Sequence, residues 1–267
     1  MFENRLKEKM KKAPVFGISI YTGSPAIIEA VGGFGLDFVF IDAEHTPFAV
    51  TDLRECVLAA RRSGISPLVR VSRPDEIEIR KALEIGAEGV IIPHVRTRED
   101  AEICVRGAKF PQPGQPLWRR GYDASVRSAG FGGAGYNAIE YIRHSNDTEL
   151  VIPMAEDFEF MDNIDEILRV PGIDAVNFGP SDYAMSLCIP RFYDMSEPHV
   201  STALDTIAQH TGKRGLGLMA PASPPIADNV KALVSRGVNM VIMGSDILCV
   251  NNGLRTIIEE RNKAAEP

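Results

Sequence analysis

The stretch Gly172-Ile-Asp-Ala-Val-Asn-Phe-Gly-Pro-Ser-Asp182 contains one whole repeat of an α/β chain. Gly172 stands where a helix C-cap wants a left-handed residue. A short apolar run follows, and Gly179-Pro180 stops it just before an acid. The run Ala175–Gly179 lacks in/out alternation, as expected of a strand buried on both faces of a parallel sheet. The same plan recurs at Val15–Tyr21, Asp37–Ala43, Pro67–Val71, Gly89–Val95, Leu150–Ala155, Gly215–Ala220 and Met240–Gly244. Gly35, Gly64, Gly86 and Gly237 precede strands as Gly172 does. Between the runs, apolar residues take helical spacing: Leu53, Val57, Leu58 and Ala60; Ile77, Ile79, Ala82 and Leu83; Met161, Ile164, Ile167 and Leu168; Ile226, Val230, Leu233 and Val234. Eight strand candidates, each followed by a helix-length segment, predict an α/β fold of the (β/α)8 TIM-barrel type, with 1–267 as a single domain. The competitor is a doubly wound open sheet, but no Gly-x-Gly-x-x-Gly follows a strand.

With 45% hydrophobic and 24% charged residues, the 267-residue chain can bury a sizeable core. Its net charge of -7 and lack of a basic stripe argue against a nucleic-acid partner. Cys56, Cys104, Cys188 and Cys249 are scattered without a Cys-x-x-Cys pair, which argues against a thiolate zinc site. Three of them fall in helical or loop segments and are expected to be small buried hydrophobes. The charged start, Met1 to Lys9, does not read as a signal peptide, and no apolar run reaches the roughly 20 residues of a membrane helix. The expected location is cytoplasmic, with no membrane partner.

One interval breaks the rhythm. More than fifty residues separate the fourth and fifth strands, including Pro111-Gln-Pro-Gly-Gln-Pro116, Arg119-Arg-Gly-Tyr-Asp-Ala-Ser125, Gly130-Phe-Gly-Gly-Ala-Gly135 and a helical stretch from Asn137 to Arg143. The expectation is a loop on the C-terminal face of the barrel, acting as lid or substrate loop.

Active sites of this fold lie at strand C-termini. The second strand delivers Ile41-Asp-Ala-Glu-His45, the third Arg70, the fourth Ile92-Pro-His94, the fifth Glu156 and the sixth Asp182. Each has a plain structural reading. Asp42 fits a helix cap and His45 or His94 a loop hydrogen bond. Arg70 fits a pair with Asp42 or Glu44, and the acids fit helix N-termini. Taken together, five successive strands aim ionisable groups at one rim. Glu156 and Asp182 are oxygen ligands suited to a hard divalent cation.

These residues resemble the HpcH/HpaI aldolase family of metal-dependent class II pyruvate aldolases. The likeness runs from about Pro14 to Arg255. It is carried by Phe40-Ile-Asp-Ala-Glu-His45, Val69-Arg70, Arg120-Gly121, the Glu156 strand exit and Phe178-Gly-Pro-Ser-Asp182. The resemblance implies that Glu156 and Asp182 hold Mg2+, Mn2+ or Co2+, that His45 is the acid/base and that Arg70 contacts the reacting oxygens. Asp42 would orient the His45 ring, and Glu44 would hold a metal-bound water. The N–H groups of Ser181 and Asp182 would take a substrate carboxylate, with His94 and Arg120 as further substrate contacts. A metal-bound water is an alternative base. The implied reaction joins pyruvate to an aldehyde, or cleaves a 4-hydroxy-2-oxo acid, through a metal-stabilised enolate. The Ile-Pro-His-Val form at His94 resembles macrophomate synthase, so oxaloacetate decarboxylation is the alternative reaction. A non-catalytic binding module is a third reading. No strand candidate ends in the Lys a Schiff-base aldolase needs. Glu84 stands where aldolases of this kind have Asp, and Gly130–Gly135 is richer in glycine; a subunit contact and an altered acceptor preference are the corresponding expectations. Acceptor recognition is expected in the long loop or across a subunit boundary. The amphipathic segment Asp246 to Ala264 is expected to exchange between subunits of a homohexamer, again on the resemblance.

Overall fold

The computed structural model describes residues 3–191 and 194–265; Met1 and Phe2 of the charged N-terminal segment lie outside them. All eight predicted strands form: β1 Val15–Ile20, β2 Phe38–Asp42, β3 Ser66–Arg70, β4 Gly89–Ile92, β5 Leu150–Ala155, β6 Ala175–Phe178, β7 Gly217–Pro221 and β8 Met240–Ser245. Each pairs in parallel with its neighbours, and β1 also pairs with β8, so the sheet closes. Closure excludes the open doubly wound sheet.

The helices are α1 Leu6–Lys12, α2 Pro25–Gly33, α3 Val50–Arg62, α4 Glu76–Glu84, α5 Arg98–Ala108, α6 Ala138–Thr148, α7 Phe158–Asp162, α8 Ile164–Ile167, α9 Pro180–Ser186, α10 Pro198–Arg214, α11 Ala227–Ser235 and α12 Asp246–Ala265. Local chemistry sets their starts. Thr97 and Asp100 form a capping box on α5, while Asp75 and Asn137 accept N–H bonds at α4 and α6. Gly35, Gly64, Gly86, Gly172 and Gly237 all have positive φ, as their place before strands predicts.

Strand alternation divides the core in two. Val15, Phe38, Phe40, Leu68, Ile91, Leu150, Ile152, Met154, Met219, Met240 and Ile242 fill the barrel interior. The opposite faces, such as Val39, Ile41, Val69, Val90, Val151 and Val176, pack under the helices. Gly17 leaves the interior room that Phe38 occupies: a Cβ there would lie 2.3 Å from the ring. Leu6 and Met10 of α1 join the interior cluster and close the N-terminal end. Glu88 fixes that plug by accepting the N–H groups of Arg5 and Leu6 at 2.6 and 2.5 Å. At the other end, Asp246 accepts the N–H groups of Tyr21 and Thr22, both at 3.0 Å, and ties β8 to β1.

The long insertion is not on the catalytic face. Helix α5 follows β4 and carries the chain back, so residues 109–137 lie beside the N-terminal ends of the strands. Lys109 there donates to the Glu149 carbonyl at 2.6 Å and pairs with Asp174 at 3.3 Å, residues that precede β5 and β6. Trp118 donates to the Pro171 carbonyl. Gly130–Gly135, with Tyr136 and Tyr141, borders a cleft of about 160 Å³ on this insertion. The expected lid over the chain's own rim is therefore corrected. The periodic pattern locates an insertion between two strands, but not on which side of the intervening helix it falls. The cysteine expectation is also corrected: Cys56 and Cys104 are buried, whereas Cys188 and Cys249 are exposed. Among the described residues no helix is long and apolar enough to cross a membrane.

Candidate active site

Asp42 ends β2 and Arg70 ends β3, and the two are register partners. Asp42 is fully buried and Arg70 is 5% exposed. The guanidinium donates through Nε to Oδ1 at 2.9 Å and through Nη2 to Oδ2 at 2.5 Å. Its Nη1 lies 2.9 Å from Oε2 of Glu44. The plain pairing of Arg70 with Asp42 and Glu44 is thus realised. A bidentate fork also fixes the direction of a permanent charge. Asp42 accepts the main-chain N–H of Glu44 at 2.9 Å and of His45 at 3.3 Å. It organises the loop that carries His45 rather than the imidazole. The ring is about half exposed, with Nε2 3.5 Å from Glu44 Oε2.

Glu156, at the exit of β5, is 1% exposed. Its Oε1 accepts the His94 N–H at 2.7 Å. Burial pushes its carboxyl up to about 7, against the lowering effect of that N–H and of the His94 charge. On the β6 side, Gly179 leaves space beside the other oxygen: a Cβ there would meet Glu156 Cβ at 2.9 Å and Oε2 at 3.0 Å. Asp182 lies in the first turn of α9 and is exposed. The neighbouring Ser181 Oγ is buried without a hydrogen-bond partner.

The His94 ring lies between carboxylates, Nε2 3.1 Å from Glu44 Oε1 and Nδ1 3.0 Å from Asp157 Oδ2. Burial alone would lower its pKa, but the Asp157 hydrogen bond and the charges of Glu156, Asp157 and Glu44 raise it. Arg96 holds Asp157 with Nε and Nη2 at 3.0 and 3.1 Å. Sequence reading missed Asp157 and Arg96; the acidic pair Glu156-Asp157 at a strand exit was the available signal. It also missed Asn177, whose Oδ1 is buried without a partner on β6; a lone amide inside an apolar run marked it.

Arg120 is not brought to this rim. It is 2% exposed, donates to Glu149 Oε2 at 2.5 Å, and lies over the Phe110 ring at 4.4 Å. That environment belongs to the insertion, so the expected substrate contact is corrected for this chain. Glu84 ends α4, with its carboxylate 3.7 Å from Arg80.

The donor set suits a hard cation. Glu156 is buried with its carboxyl raised to about 7, Gly179 lies beside its Oε2, the charge of Asp182 acts on the same carboxyl, and the buried Ser181 hydroxyl has no hydrogen-bond partner. The ligand atoms of His94, Glu156 and Asp157 also fall within 4.8 Å of one another.

Comparison with known proteins identifies the family. The model of the HpcH/HpaI aldolase/citrate lyase family matches residues 17–252. The chain belongs to that family. The 2-keto-3-deoxy-L-rhamnonate aldolase of Escherichia coli K12 is 30% identical over 256 residues, covering 95% of this chain and 91% of that protein. The 5-keto-4-deoxy-D-glucarate aldolase of the same organism is 28% identical, covering 92% of each. A solved HpcH/HpaI aldolase/citrate lyase family structure from Burkholderia cenocepacia superposes with TM-score 0.87 at 26% identity, over 97% of this chain and all of that one. As a member of the HpcH/HpaI family the protein is a carbon–carbon lyase, and a divalent metal ion is the cofactor the family implies.

Proposed function

We propose that the protein reversibly cleaves a 4-hydroxy-2-oxo acid to pyruvate and an aldehyde. The observation that carries this reading is the placement of Asp42, Glu44, Arg70, Glu156 and Asp182 at the ends of β2, β3, β5 and β6, two adjacent pairs of strands with β4 between them, around a buried carboxyl whose pKa is raised by burial. Glu156 and Asp182 would hold the divalent ion, Mg2+, Mn2+ or Co2+. When bound, that ion supplies Lewis-acid polarisation of the 2-oxo group.

The remaining chemistry is divided among this chain's side chains. Arg70, charged at every accessible pH and fixed by Asp42, stabilises negative charge that develops on the substrate oxygen. Ser181, with an unspent hydroxyl, binds the substrate carboxylate together with the adjoining N–H groups. His45, half exposed beside Glu44, moves the proton of the aldol hydroxyl at its Nε2. Glu44 orients that ring and helps hold the Arg70 guanidinium. The sugar-acid aldolases among the relatives support a hydroxylated aldehyde as the second product.

The reading carries with it a cytoplasmic location and assembly into a homohexamer. Helix α12 supports assembly: beyond Asp246 it is exposed, with Ile247, Leu248, Val250, Leu254, Ile257 and Ile258 uncovered in the single chain. Such a row is the type of surface a second copy buries.

The test is exchange of pyruvate methyl protons with D2O, followed by NMR in EDTA-treated and Mg2+-reloaded protein. Exchange should require metal and disappear in Glu156→Ala and Asp182→Ala. A metal-loaded protein without exchange sinks the aldolase reading, and release of CO2 from oxaloacetate then decides the decarboxylase alternative.

A further inference from the structure

His94 is one of three described residues other than glycine with positive φ, at +52°. That conformation costs a side-chain-bearing residue free energy and persists only when surroundings hold it. Here they do. The preceding Pro93 restricts the chain, and the ring is held on both sides, by Asp157 at 3.0 Å and Glu44 at 3.1 Å. Both holders are themselves anchored, Asp157 by Arg96 and Glu44 by Arg70. The consequence falls on the main chain. The His94 N–H turns inward onto Oε1 of Glu156 at 2.7 Å. With one oxygen occupied, the other lies beside Gly179 on the β6 side, three residues before Asp182, whose charge acts on the same carboxyl.

We propose that His94 is a positioning residue for the metal-binding carboxylate: its left-handed backbone holds Glu156 so that Oε2 faces Asp182, and its clamped ring keeps that backbone in place. The inference rests on the assignment of Glu156 to the metal. It gives His94 a main-chain task distinct from the substrate contact expected from sequence.

The experiment titrates the full-length protein and three variants with Mn2+, reading the free-ion EPR signal, with thermal melts to establish folding. His94→Gly and His94→Asn lose the imidazole but accept positive φ and keep the N–H. They should bind Mn2+ nearly as tightly as the parent. In His94→Val the branched side chain opposes that conformation, and affinity should fall about tenfold or more. If the Val variant does not fold, His94→Ala replaces it, since alanine also disfavours positive φ. Tight binding by the folded Val or Ala variant would overturn the proposal. So would an equal loss in Gly and Asn, or nitrogen coupling in the pulsed EPR spectrum of the parent that vanishes in His94→Gly, because the ring would then be acting as a ligand. A parent protein that takes up no Mn2+ would remove the metal assignment itself, a result separable from failure of the His94 role.

Discussion

Arg70 and Asp42 face each other across β2 and β3 as register partners joined by two hydrogen bonds, and both are buried. Removing one member leaves the other charged and desolvated. Asp42→Ala should cost about 3–5 kcal/mol of stability, read by guanidinium denaturation. The variant should also lose methyl-proton exchange at temperatures where it remains folded, because Arg70 and the Glu44–His45 loop are released together. Full exchange in a folded Asp42→Ala protein would count against Arg70 needing that anchor.

The carboxyl of Glu156 gives a pH signature. Its folded pKa is raised by burial from 4.5 to about 7. Between those values the native state keeps a proton that the unfolded state has released. The stabilising contribution is therefore complete below pH 4.5 and is lost as pH rises toward about 7. The size is on the order of 3 kcal/mol for metal-free protein. Denaturation in EDTA should show this fall between about pH 4.5 and 7. Glu156→Gln should flatten it, and added divalent ion should offset it at the upper end.

Gly179 is a steric requirement of the same carboxylate. In Gly179→Ala the new methyl would sit 2.9 Å from Glu156 Cβ and 3.0 Å from Oε2. Overpacking of this kind costs about 1–3 kcal/mol. Because the clash is with Glu156, Mn2+ affinity should drop along with stability. Calorimetric titration checks this, and unchanged affinity would place the Glu156 site elsewhere.

Arg120 should behave in the opposite way. Its ion pair with Glu149 is buried within the insertion, so Arg120→Ala should lose about 3–5 kcal/mol. Exchange per folded molecule, measured well below the melting transition, should stay at the parent rate. A selective loss of exchange at unchanged stability would return Arg120 to the site.

The exposed row on α12 predicts an assembly defect. Leu254→Asp together with Ile258→Asp puts charge on a surface that, in the single chain, covers nothing. Light scattering after gel filtration should show smaller species than the parent, with the barrel's far-UV circular dichroism retained. An unchanged assembly size would show that this face is not a contact between copies.

The sequence alone was enough to specify the barrel. Continuous apolar runs appear wherever a strand is buried on both faces, and a glycine with positive φ is needed wherever a helix turns into the next strand; both leave marks that can be read residue by residue. The positions of Asp42, Glu44, His45, Arg70, Glu156 and Asp182 at or just beyond strand ends were legible for the same reason, because parallel strands deliver their exits to one end. Tertiary structure decided what depends on direction and on partners distant in the chain. It put residues 109–137 at the N-terminal end, since α5 reverses the chain before the insertion begins. It spent Arg120 on Glu149, gave Asp42 to Arg70 and the His45 main chain, and drew Asp157 and Arg96 into the rim through the His94 ring. Periodicity records which face of an element is buried, whereas the partner of a buried charge is chosen by three-dimensional proximity, because desolvation compels each such group to take whichever opposite charge or dipole the fold brings within reach.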